Sequence, residues 1–142
     1  MLTPQAIAKA QPSVLERCTR SSGCYRQKAK KLKILAKEFL RNADFDRPRL
    51  LALWGVGPET ADTILLYGFH QPTFVVDAYT RRLLVHLTND RRWLARPYED
   101  VRALFESVLP RSVEGYQEAH ALIVKWGKET RLPSTGPRHK MR

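Results

Sequence analysis

The stretch Leu53-Trp54-Gly55-Val56-Gly57-Pro58-Glu59-Thr60-Ala61 constrains the fold of this chain more than any other. Two glycines at i and i+2 let the backbone turn sharply, while the apolar Val56 between them anchors the turn in a core. Turn signals flank apolar spacing on both sides, which predicts a short helix from Pro48 to Leu53, a tight turn, and a second helix from Glu59 to about Phe69. The first amides of that second helix lack intrahelical partners and carry partial positive charge, so they suit a phosphate oxygen whatever the base sequence beside it. On the two glycines alone, a plain turn joining two helices is the favoured reading.

The rest of the chain also reads as helix. Thr3-Pro4 has the form of an N-cap followed by a first helical residue, and Ser13-Val14-Leu15-Glu16 fits a capping box for a second short helix. After a loop from Cys18 to Tyr25, the residues Ala29, Leu32, Leu35, Ala36 and Phe39 recur at helical spacing. The opposite face of that helix carries Arg26, Lys28, Lys30, Lys31, Lys33 and Lys37. Further on, Asp77 is placed to cap a helix from Ala78 to Leu87. Val101, Leu104, Phe105 and Val108 mark another amphipathic helix, ended by Pro110, and Tyr116, Ala119, Ile123 and Trp126 mark a last one before Gly127. No segment alternates as a strand would. The reading is an all-α helical bundle, a single domain over residues 1–130, with a basic flexible tail at 131–142.

Charge narrows the partner. The chain has 142 residues, 25 Lys+Arg against 14 Asp+Glu, and a formal net charge of +11. A polyanion is favoured through release of its counterions, and nucleic acid is the leading candidate. No run approaches the ~20 apolar residues of a membrane-spanning helix, and the N-terminus lacks a charged-then-apolar leader, so a cytoplasmic, nucleoid-associated protein is expected. Cys18 and Cys24 have no second cysteine or histidine cluster behind them and are read as free thiols rather than a metal site.

The hairpin pattern Leu-x-Gly-Val-Gly-x-x-Thr-Ala resembles the helix-hairpin-helix of the DNA glycosylase superfamily that includes endonuclease III. Downstream, Phe74-Val75-Val76-Asp77-Ala78-Tyr79-Thr80-Arg81-Arg82 resembles that family's catalytic segment, at a fitting separation. The likeness extends to residues 22–30 and 115–123, covers roughly residues 3–130, and is greatest to the endonuclease III-like 3-methyladenine glycosylases. It implies the endonuclease III-like fold, with duplex DNA carrying a damaged base as partner and no obligate protein partner. It also implies that Gly55, Val56, Gly57, Glu59, Thr60, Lys28 and Lys31 contact DNA and that Asp77 is the catalytic acid. The chemistry agrees: breaking an N-glycosidic bond builds positive charge on the sugar, which a carboxylate stabilises while it orients or deprotonates water. By itself, an aspartate before a helix is an ordinary N-cap; the hairpin context gives it the second role.

Three departures from the family pattern set further expectations. Glu59 stands where bifunctional members carry a Schiff-base lysine, which implies a monofunctional glycosylase acting on an alkylated base. No cysteine follows Cys24, and Arg131 and Arg138 stand near two of the four expected ligand positions, so no iron–sulfur cluster and no other cofactor is expected. Relatives also carry an apolar helix and a glutamine-bearing loop before the segment that starts here at Leu2; a surface made to meet that helix should be apolar. Trp54, Tyr67, Phe69, Tyr79 and Tyr116 are candidates to stack on an extruded base, each with core packing as its competing role. His120, on an apolar helix, is read as a core histidine and left out of the site. Two rivals to the enzyme remain: a non-catalytic or truncated DNA-binding module using the same hairpin, and a basic protein of membrane surfaces or RNA.

Overall fold

The computed structural model describes residues 2–41 and 44–130; the expected basic tail at 131–142 lies outside them. Among the described residues the chain is helical with no strand, as expected. It divides into two compact units, Met1–Phe69 and His70–Arg142.

The first unit opens with α1 (Pro4–Lys9), started by Thr3, whose hydroxyl accepts from the Ala6 amide at 3.1 Å. Helix α2 (Pro12–Thr19) begins earlier than its sequence suggests. Gln11 is its N-cap and Pro12 its first residue, so Ser13 already lies inside the helix and its capping box does not form. Proline at the first position needs no amide partner, and that preference outcompetes the serine. A 3₁₀ turn at Arg20–Ser22 leads into α3 (Tyr25–Arg41), against which α1 and α2 pack. Ala29 and Ala36 are buried on α3, whereas Leu32, Phe39 and Leu40 stay largely exposed.

Helix α4 (Arg47–Leu51), capped by Asp46, and α5 (Pro58–Thr63) follow, and α5 runs on as a wider π turn through Ile64–Gly68. Phe45, Leu50, Val56, Ala61 and Leu65 form the core, with Leu35, Leu53, Ile64 and Phe69 packed on it. An ion pair sits beside that core. Arg47 Nε and the Asp62 carboxylate meet at 2.7 Å, a second guanidinium nitrogen reaches the other oxygen at 3.1 Å, and Asp62 has 0% exposure.

The second unit begins with segment 70–77, which lies outside the helices and whose residues Thr73 to Val76 are buried. A buried backbone outside regular structure must find side-chain partners. Here the Phe74 amide donates to Glu106 at 2.9 Å and the Val76 amide to the Tyr98 hydroxyl at 3.2 Å. Phe74 also stacks on Phe105 with ring centroids 4.5 Å apart and meets Tyr116 edge-on at 5.8 Å. Helix α6 (Ala78–Thr88) follows and ends at Asn89 in a left-handed conformation. A 3₁₀ turn at Arg91–Leu94, not anticipated from sequence, is held by Arg81, which donates to the carbonyls of Trp93 and Arg96 at 3.0 and 2.7 Å. Then come α7 (Tyr98–Val108) and α8 (Val113–Glu129), the latter packed on α6. Contrary to expectation, α8 does not stop before Gly127. The glycine lies inside it, buried, and the ring of Tyr79 occupies the space a side chain would fill.

Candidate active site and nucleic-acid interface

The hairpin belongs to the first unit and is built as its sequence implies, with one refinement. Gly55 has φ +80°, a conformation that strongly favours glycine, and a Cβ there would come within 2.7 Å of Lys31 Cε. Gly57 has φ −95°, open to any residue, and a Cβ added there would meet nothing within 4 Å. So Gly55 makes the turn and Gly57 leaves space above the backbone. Val56 anchors the loop at 7% exposure, and its amide donates to the Leu53 carbonyl at 3.1 Å.

Lysines converge on this turn. The apolar stem of Lys31 lies across Gly55, which leaves its ammonium as a charge carried at the hairpin. Lys30 Nζ stands 3.9 Å from the ring centroid of Trp54, which is 51% exposed. Lys28 goes elsewhere: its Nζ donates to the Ser22 carbonyl at 2.5 Å, beside the turn that precedes α3. Glu59 is exposed and Thr60 half-buried in the first turn of α5.

Asp77 belongs to the second unit and caps α6. Its Oδ1 accepts from the Thr80 amide at 2.8 Å and from the Thr80 hydroxyl at 2.9 Å, and the Asp77 amide donates back to that hydroxyl at 3.3 Å. The capping box is complete, and Thr80 is fully buried. The other oxygen, Oδ2, faces His120 Nε2 at 3.5 Å, with both side chains mostly buried. Burial pushes the Asp77 carboxyl up, but the His120 ring beside Oδ2 and the hydrogen bonds from the Thr80 amide and hydroxyl outweigh it, holding the group below its ordinary value. The carboxylate therefore stays ionised at neutral pH. Among the described residues, no group of three or more His, Cys, Asp or Glu is placed to hold a metal ion.

Sequence reasoning passed over His120. The available signal was its stripe: Tyr116, His120, Ile123 and Gly127 share one face of α8, and His120 is the one strongly polar member. The aromatic candidates separate. Tyr116 is core, Phe69 packs with Phe39 and Phe45, Tyr79 covers Gly127, and Trp54 and Tyr67 remain exposed. Among the described residues, no helix is long and apolar enough to cross a membrane.

Comparison with known proteins matches residues 1–111 to the family model described as HhH-GPD superfamily base excision DNA repair protein. A protein of Methanocaldococcus jannaschii with the provisional name of DNA repair glycosylase is 37% identical over 144 residues, covering 91% of this chain and 64% of the relative. Endonuclease III of Thermotoga maritima is 33% identical over 136 residues, covering 92% and 61%. The chain thus spans somewhat under two thirds of the length of these curated relatives. Among solved structures, a 3-methyladenine DNA glycosylase of H. pylori bound to 1,N6-ethenoadenine superposes with a TM-score of 0.79 at 27% identity, covering 92% of this chain and 69% of that one. A trapped endonuclease III–DNA covalent intermediate shares the fold, with a TM-score of 0.74 at 24% identity and coverage of 95% and 66%. With residues 1–111 matched by that family model, the chain belongs to the HhH-GPD superfamily of base excision DNA repair proteins.

Proposed function

We propose that the chain carries the DNA-binding hairpin and the catalytic carboxylate of a monofunctional DNA glycosylase that removes an alkylated base from duplex DNA. The observation that carries this reading is Asp77, an ionised carboxylate with one oxygen committed to the helix cap and the other turned away from it. In the proposed reaction the base is rotated out of the duplex and the bond between its nitrogen and C1′ breaks, the electron pair leaving with the base. Water adds to C1′ and gives up its proton to Asp77. An alkylated purine is cationic before cleavage and departs neutral, so the chemistry makes little demand for an acid on the base and a strong one for an anion beneath the sugar. The direct test is release of methylated base from duplex DNA by the protein. Duplex binding without release from any damaged substrate would replace this reading with that of a binding module.

On this reading no cofactor takes part. Four thiolates are needed for the iron–sulfur cluster of many relatives, and the chain holds two cysteines, both exposed and both in the first unit. Strand cleavage through an imine needs an amine at the sugar, and Glu59 offers a carboxylate at the lysine position. Borohydride added during the reaction should therefore trap no covalent DNA adduct. A trapped adduct would mean that a lysine such as Lys28 or Lys31 has taken over, and the monofunctional assignment would fall.

The hairpin reading predicts binding dominated by phosphates. Duplex affinity should drop steeply with salt, each neutralised phosphate adding about 0.9 to the slope of log K against log salt. Substitution of Gly57 by leucine tests the contact cleanly, because neither the local φ nor any neighbour resists a side chain there. Affinity should weaken for every DNA sequence alike while the melting temperature holds. A flat salt response would remove nucleic acid as the partner, and a Gly57→Leu protein that binds normally would remove the hairpin as the DNA contact.

A further inference from the structure

The two oxygens of Asp77 have different surroundings, and the difference assigns a role to a residue outside the catalytic segment. Oδ1 takes two hydrogen bonds from Thr80, at 2.8 and 2.9 Å, which occupies its acceptor capacity. Oδ2 is the oxygen that remains for chemistry, and what stands beside it is His120 Nε2 at 3.5 Å. Thr80 on α6 and His120 on α8 both hold this carboxyl below its ordinary value. His120 comes from the middle of α8, on the face packed against α6, one turn beyond the fully buried Tyr116 and two turns before Gly127. A polar ring among such neighbours is costly to bury unless a partner answers it. The separation exceeds that of a tight hydrogen bond, as is common for catalytic contacts that close only around substrate.

We propose that His120 is a positioning residue: its Nε2–H steadies Asp77 Oδ2 from the α8 side while Thr80 fixes Oδ1, so that the remaining lone pair of Oδ2 is aimed at the attacking water. This rests on the assignment of Asp77 as the catalytic carboxylate. The two oxygens then divide the labour. One belongs to the fold and the other to the reaction, and His120 keeps the second from rotating into the cap or away from the sugar. A core histidine with a purely space-filling role would satisfy the same packing, so the variants must separate shape from hydrogen bonding.

Three proteins make the comparison: wild type, His120→Phe, which keeps a ring of similar outline without a donor, and His120→Gln, which restores an N–H donor on a flexible arm. Single-turnover base release should slow about tenfold or more in His120→Phe, the effect of losing one hydrogen bond to a charged group, with duplex affinity unchanged. His120→Gln should recover most of the rate. Wild-type turnover by His120→Phe would overturn the proposal, as would equal losses in both variants when both melt as the wild type does. A second measurement needs neither DNA nor turnover: the carboxyl-carbon resonance of Asp77, followed against pH. Its midpoint should rise in His120→Phe, where ionisation loses a donor, and stay near the wild-type value in His120→Gln. An unmoved midpoint in His120→Phe would also overturn the proposal. If the wild type releases no base at all yet the midpoint moves, the glycosylase reading fails while the His120–Asp77 contact stands.

Discussion

Asp77→Asn should bind duplex DNA at least as tightly as wild type and release a damaged base at least about 100-fold more slowly. Asparagine keeps an oxygen to accept from the Thr80 amide, so the cap of α6 survives and the fold with it. What disappears is the negative charge and the ability to take a proton from water. In place of Oδ2 the variant presents an amide NH2 to His120, which does not stabilise positive charge on a sugar. Loss of an anion near phosphates removes a repulsion, which is why affinity should hold or rise. The measurement pairs single-turnover release from methylated duplex with equilibrium binding to the same duplex. An Asn variant that excises at the wild-type rate would show that another group does the chemistry.

Arg47→Ala should cost the first unit about 3–5 kcal/mol, the largest stability effect expected from a single substitution outside the apolar core. Asp62 has no exposed surface, and its carboxylate is gripped by both Nε and a terminal nitrogen of Arg47. Removing the guanidinium takes a matched pair of charge-assisted bonds from a carboxylate that cannot turn to water. The two residues also bracket the hairpin: Arg47 opens α4 before the turn and Asp62 lies in α5 after it. The expected result is a lower urea midpoint together with weaker DNA binding, and Arg47→Lys should fall between, because one ammonium cannot reproduce a two-pronged contact. Unchanged stability in Arg47→Ala would mean that the ion pair contributes nothing net.

The sequence carried most of what is local. Gly-Val-Gly predicted a tight turn with Val56 inward, and an aspartate before an amphipathic run predicted an N-cap, because each depends on residues within a few positions of one another. Prediction failed where a distant partner decides. Gly127 looks like a helix terminator, but Tyr79, 48 positions away by the numbering, needs the space of its missing side chain. Nothing in the sequence around Asp62 announces its burial, which depends on Arg47, 15 positions earlier. His120 has no motif of its own; its meaning comes from Asp77, and only the packing of α8 on α6 brings the two together. The Ser13 capping box was legible but lost to a competitor one residue earlier, since Pro12 supplies the helix start.

Because a single carboxylate both closes the first turn of α6 and is assigned to the reaction, inheritance treats position 77 unusually. Most single replacements there would remove a helix cap worth about 1 kcal/mol along with any chemistry, so a lineage that lost activity would tend to lose folded protein as well and be purged. Asparagine, serine and threonine are the exits that leave the cap standing. A relative of this chain that had given up catalysis yet still folded and held DNA should therefore carry one of those three at this position, and alanine or leucine there should be rare.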